Sequence, residues 1–186
     1  MVFCGSVSAY ETVLPTFAFA LPAAASVSVP VADVGPFVVV CAVCGVLAAV
    51  VMDYPMAKQT EGFTPAYIAA SVLTRASPSS VDFRDAFLVH HVAGAAAGVL
   101  YALLYLPAAV LPDVASVGGV GAAPHAIATL GVAAFIYAFF AHLVLPRRGR
   151  GIYEERATAV RGQWLRSVVV FGVTVAAVVP AATSVL

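Results

Sequence analysis

The chain has 186 residues, of which 62% are hydrophobic and only 10% charged, with nine basic residues balancing nine acidic ones. A mean hydropathy of +1.02 excludes an ordinary water-soluble domain, in which about a quarter of residues are charged. No nucleic-acid partner is expected, and we read residues 1–186 as one polytopic membrane domain.

Residues 1–35 carry Glu11 and Asp33 but no Lys or Arg. Thr12 to Ala32 is apolar enough to cross a membrane, yet Pro15, Pro22 and Pro30 interrupt it. Each proline frees backbone groups that lipid cannot satisfy. The expectation is a Pro-broken segment packed on the outer face of the bundle; a fifth span, with the N-terminus inside, is the alternative. No basic residue precedes the apolar run, so a signal peptide is not expected.

A hydrocarbon core of about 30 Å needs roughly 20 apolar residues in a helix. The first stretch to meet this is Pro36 to Met52, with proline in the first turn, where a missing N–H costs nothing. Asp53 reads as the cap at its far end, and Pro55 as the stop. Cys41-Ala-Val-Cys44 lies in its outer half. Two small, polarizable side chains on a packed helix face is the plain reading. The motif and the helix count also resemble the membrane thiol oxidases, which pass electrons from a dithiol to quinone. That resemblance implies a redox role for Cys41 and Cys44. It departs from those enzymes in that they relay through a second cysteine pair, whereas only Cys4 remains here. No His or further Cys is close enough in sequence to complete a zinc set.

The loop that follows holds Lys58, Arg75 and Arg84. Within it, Thr64-Pro65 reads as an N-cap with proline at the first helical position, and Ala66 to Leu73 is mostly apolar before Arg75 and Ser77-Pro78. A short interfacial helix is expected there. The second span, Phe83 to Leu106, starts with Asp82 and Asp85 at the positive end of the helix dipole and stops before Pro107. It carries His90, His91 and a Gly94-x-x-x-Gly98 signature of close helix packing. The next connection, Pro107 to Ala123, has Asp113 and no basic residue.

The third span, Pro124 to Leu145, places Gly131, Phe135, Ala138 and His142 on one stripe, with His125 near its start and Pro146 after its end. The second basic loop holds Arg147, Arg148, Arg150, Arg156, Arg161 and Arg166, and Glu154 and Glu155 among them read as a solvated ion-pair surface. From Ile152 to Arg166 this loop is expected to be helical and to lead into the last span, Trp164 to Val185. Trp164 then sits at headgroup depth and Arg166 snorkels, while Pro180 predicts a kink or early fraying.

Every Lys and Arg lies in one of the two basic loops. Basic loops stay cytoplasmic, so both termini are predicted outside. Arg147, Arg148 and Arg150 are then membrane-surface residues, able to contact anionic headgroups. The predicted fold is all-α: an antiparallel four-helix transmembrane bundle.

Chemistry-bearing residues in the spans are few. His90 and His91 on the second span and His142 on the third reach similar depth in an antiparallel pair, and two imidazoles from facing helices are what a membrane haem b needs for axial ligation. Gly94, Gly98 and Gly131 would let either a flat ring or a neighbouring helix come close. His125, about 25 Å along the helix from His142, reads as an interfacial residue or surface contact. Ionisable residues are expected at span boundaries, which argues against a proton-coupled transporter. The function expected first is an accessory, structural or assembly subunit of a larger membrane complex, acting through lipid and through a partner membrane protein or a second copy, without catalysis of its own. The rival is a haem-b electron-transfer subunit using His142 with His90 or His91; the remoter one is the thiol and quinone redox protein.

Overall fold

A computed structural model describes residues 33–112, 115–149 and 151–185. The segment expected to be Pro-broken, Cys4 and Arg150 lie outside the described residues. Those described are helical apart from loops and one two-residue hairpin. Helix α1 runs Val34–Lys58, α2 Thr64–Thr74, α3 Phe83–Ala108 and α4 Ala122–Ala138. A π-helical segment, Phe139–Val144, joins α4 to the short α5, Leu145–Arg148, and α6 spans Gly151–Thr183. Taking α4 to α5 as one rod, four helices are long and apolar enough to cross a membrane. Multi-pass membrane architecture is therefore the fold of this chain.

These helices overrun the ends that proline suggested. Pro55 lies inside α1 and Pro107 inside α3, while α6 passes Pro180 and ends at Thr183. Proline removes one N–H and so frees the carbonyl four residues earlier. A helix can absorb that loss in lipid when another group meets the freed carbonyl. Pro180 frees the Ala176 carbonyl, and His125 Nε2 lies 3.2 Å from it.

Pro146 is accommodated differently. In the π-helical segment the Leu145 N–H bonds Phe140 instead of Ala141, and the next residue, Pro146, has no N–H to offer. Ala141 thus loses both of its in-helix donors. Arg161 Nε on α6 donates to the Ala141 carbonyl at 3.0 Å. A π-bulge is a known response to strain within a helix, and here the proline sits immediately beyond it.

Helix α1 packs against α3 and α6, α3 against α4, and α4 against α6, with α2 laid on α3 and touching the π-helical segment, α5 and α6. The tightest seam is α1 on α3. A Cβ at Gly98 would collide with the Cys41 carbonyl, one at Gly45 with Gly94, and one at Gly94 would stand 2.6 Å from the Ala49 Cβ. Only glycine permits this approach, and in lipid such van der Waals contact supplies the attraction that the hydrophobic effect cannot.

The loop before α4 is a β-hairpin pairing Ser116 with Gly121 and Val117 with Val120. Gly118 and Gly119 have φ of 54° and 81°, the left-handed values that a two-residue hairpin turn demands. Gly118 also lies against the Pro180 carbonyl, where a side chain would not fit, so the hairpin closes over the end of α6.

Candidate functional site

Because α1 continues through Pro55, Asp53 is not a cap. It lies within the helix, 22% exposed, and meets two imidazoles from α3. His91 Nε2 is 3.2 Å from Asp53 Oδ2, and His91 Nδ1 donates to the Phe87 carbonyl one turn back at 2.8 Å. His90, only 8% exposed, turns Nε2 toward the Ala49 carbonyl on α1 at 3.3 Å and lies equally far from Asp53 Oδ1. That oxygen is buried without a hydrogen bond, so His90 lies beside it without bonding it. Aromatic rings close the surroundings: Phe87 lies tilted against His91 with ring centroids 4.2 Å apart, and Phe63 stands edge-on to His90 at 6.4 Å.

A carbonyl only accepts, so His90 carries its hydrogen on Nε2. The three side chains form a compact polar group that ties α1 to α3, inside a helix pair where polar groups are costly to leave unpaired. Asp53, about one and a half turns from the end of α1 at Lys58, is thus paired across the seam and does not cap the helix. The signal was present: Asp53 and the His90-His91 pair lie at comparable distances from the same loop, on consecutive spans.

A second polar group lies toward the hairpin. Tyr101 and His125 are both buried, the hydroxyl 2.6 Å from Nδ1. His125 Nε2 must donate to Ala176, so a neutral ring accepts the Tyr101 hydrogen on Nδ1. Tyr105 stacks on Tyr101 at 6.0 Å, and its hydroxyl accepts from the Gly121 N–H at 3.0 Å. His125 is thus an internal bridge among α3, α4 and α6, not the surface contact its position near a span end suggested.

The two basic loops meet at the other end. Glu61, 7% exposed, takes a hydrogen bond from Arg156 Nη1 at 2.6 Å and one from the Thr64 hydroxyl at 2.7 Å. Gln163 binds the Glu61 N–H and the Thr60 hydroxyl. Sequence spacing gave no hint of this junction, whose partners are about a hundred residues apart.

The remaining candidates are dispersed. His142 is exposed on the π-helical segment, edge-on to Tyr137 at 6.1 Å, while His90 and His91 are turned to Asp53. Among the described residues no group of three or more His, Cys, Asp and Glu is arranged to hold a metal ion. Cys41 and Cys44 are free thiols buried within the bundle, Cys44 facing the Val178 carbonyl. Gly94 and Gly98 face α1, and Gly131 faces Leu104 on α3. Arg147 reaches the Leu143 carbonyl of its own helix, Arg148 lines a polar cleft with Arg75, and Arg166 is exposed. Trp164 lies between Phe140 and the Ile136 carbonyl. No protein-family model, curated protein or solved structure matches this chain.

Proposed function

We propose that this protein is an accessory, structural or assembly subunit of a larger membrane complex, working through contacts with a partner membrane protein or a second copy and with lipid. One observation supports this reading best. Several polar side chains of the bundle are engaged with one another: Asp53 with His90 and His91, His125 with Tyr101, and Glu61 with Arg156. The outward helix faces are apolar, with Val39, Leu88, Leu103, Leu130 and Val173 all well exposed. Such faces offer van der Waals surface to a neighbouring helix or to lipid.

In the proposed topology the four spans pack antiparallel, both termini are outside and the basic loops are cytoplasmic. The charge distribution supports this orientation, as does the Glu61–Arg156 contact that joins one basic loop to the other. The orientation is checked by labelling Ser77→Cys, in a background without the native cysteines, with an impermeant maleimide. Reaction only after the cytoplasmic side is opened is the expected result.

The functional reading is tested on gently solubilised protein by native mass measurement and a visible spectrum, oxidised and then dithionite-reduced. A defined complex with a stoichiometric partner or second copy, and no visible band, is expected. A partner-free monomer would overturn the proposal. A sharp reduced band lost in His142→Ala would replace it with haem-based electron transfer.

A further inference from the structure

A cavity of about 170 Å³ lies under α2, bounded by α1, α3, the π-helical segment and α6. Alanines make the room: Ala49, Ala66, Ala69, Ala93 and Ala97 all line it. Two side chains in its wall carry polar nitrogen. The Trp164 N–H is directed to the Ile136 carbonyl at 3.4 Å, and His90 Nε2 is directed to Ala49 and Asp53. An apolar cavity of roughly 150 Å³ stays dry and accepts hydrocarbon, so water is a poor occupant of this one.

The position of the opening identifies a better one. Ala93 and Phe139 are exposed residues of the wall, on α3 and on the π-helical segment. Ala93 lies about 15 Å along α3 from its start at Phe83, and Phe139 about 14 Å before Arg148. Both therefore lie inside apolar spans, more than two turns from the ends that lead into the basic loops. What faces the gap between these two spans is lipid chain, and a void lined by carbon loses the contacts that such a chain would restore.

We propose that this cavity is a binding site for one acyl chain of a bilayer lipid, which enters sideways between α3 and the π-helical segment and ends against Trp164. The alanine lining sets the width, and the π-helical segment forms one wall of the opening.

Trp164 is the only tryptophan in the sequence, which supplies an internal reporter. Dibrominated stearic acid, a contact quencher, is titrated into the detergent-purified protein and then competed with unbrominated stearic acid. Saturable quenching of Trp164 that the unbrominated acid reverses is expected. The variant Ala93→Phe, which plugs the opening from its exposed rim, is expected to cut the saturable quenching by about threefold or more. Quenching that rises linearly without competition would mean collision with detergent-borne lipid and would overturn the proposal. So would saturable quenching that Ala93→Phe leaves unchanged, because the chain would then lie elsewhere. Linear or uncompeted quenching in the unmodified protein overturns the proposal even if the variant does not fold.

Discussion

Toward the hairpin, Tyr101, Tyr105 and His125 fill the space between α3, α4 and α6, whereas toward the basic loops the corresponding space under α2 holds a cavity. Each end contains a proline that removes a backbone hydrogen bond from a membrane span, and each is repaired by a side chain from a neighbouring helix. At the hairpin end α4 serves α6, through His125 and the Ala176 carbonyl. At the other end α6 serves the α4 rod, through Arg161 and the Ala141 carbonyl. The difference lies in what the repair does to the helix. Helix α6 keeps its α-helical register past Pro180, and a compact ring stack packs against it. The α4 rod slips into π geometry before Pro146, and the long arginine that reaches it comes from the rim. A helix defect met by a buried ring is compatible with full packing; one absorbed by a register slip leaves space beside it.

The largest effect should come from the seam that both ends share. Gly98→Leu forces a side chain onto the Cys41 carbonyl, and overpacking against backbone should cost about 3 kcal/mol or more. Loss of a monodisperse thermal transition in detergent is the expected readout. Gly162→Ala is the matched control, since nothing lies within 4 Å of its position, and it should be neutral or stabilising by up to about 1 kcal/mol.

Next comes the hairpin-end repair. His125→Leu strands the Ala176 carbonyl and the Tyr101 hydroxyl together, for about 2–3 kcal/mol. Adding Pro180→Ala restores an N–H to Ala176, so the double variant should recover part of that loss. Strict additivity of the two substitutions would refute the account of His125 as a proline repair.

Asp53→Asn should cost about 2 kcal/mol by removing the charge partner of His90 and His91 while leaving the fold intact. An unchanged midpoint in thermal or denaturant unfolding would show that the group does not hold α1 to α3. Arg161→Met should cost about 1–2 kcal/mol, less than His125→Leu because its surroundings are more open. Pro146→Ala should rescue it in the same manner. If both repairs prove equal in size, the contrast drawn between the two ends fails.

Smallest is the junction of the basic loops. Glu61→Gln weakens the pair with the half-exposed Arg156 and should cost under about 1 kcal/mol, shrinking further in high salt. A salt-independent loss would mean that the neutral bonds from Thr64 and to Gln163 matter more than the charge.

Much of the α1–α3 seam was legible in one helix alone, since Gly94-x-x-x-Gly98 names a face that accepts a close neighbour. Its partner face, Cys41, Gly45 and Ala49 at four-residue spacing, was less visible because the CxxC drew attention to chemistry. The candidate site was legible in part. His90 and His91 stood out, but Asp53 looked like a cap because Pro55 looked like a stop. His125 was misjudged for a related reason: its partners are the Tyr101 hydroxyl and a carbonyl freed by Pro180, and neither can be located before the helices are assembled.

Sequence alone determined where the chain enters and leaves an apolar environment. Hydropathy length and the placement of charge are local and additive along the chain, and they located four spans, while Thr64-Pro65 and the apolar run Ala66 to Leu73 marked a short helix. Tertiary structure decided which polar groups the spans carry unpaired into lipid and which they share. That outcome depends on distance between helices, so the prolines became tolerated defects, Asp53 an interior residue and His125 a bridge only once neighbouring helices brought donors to the carbonyls left open.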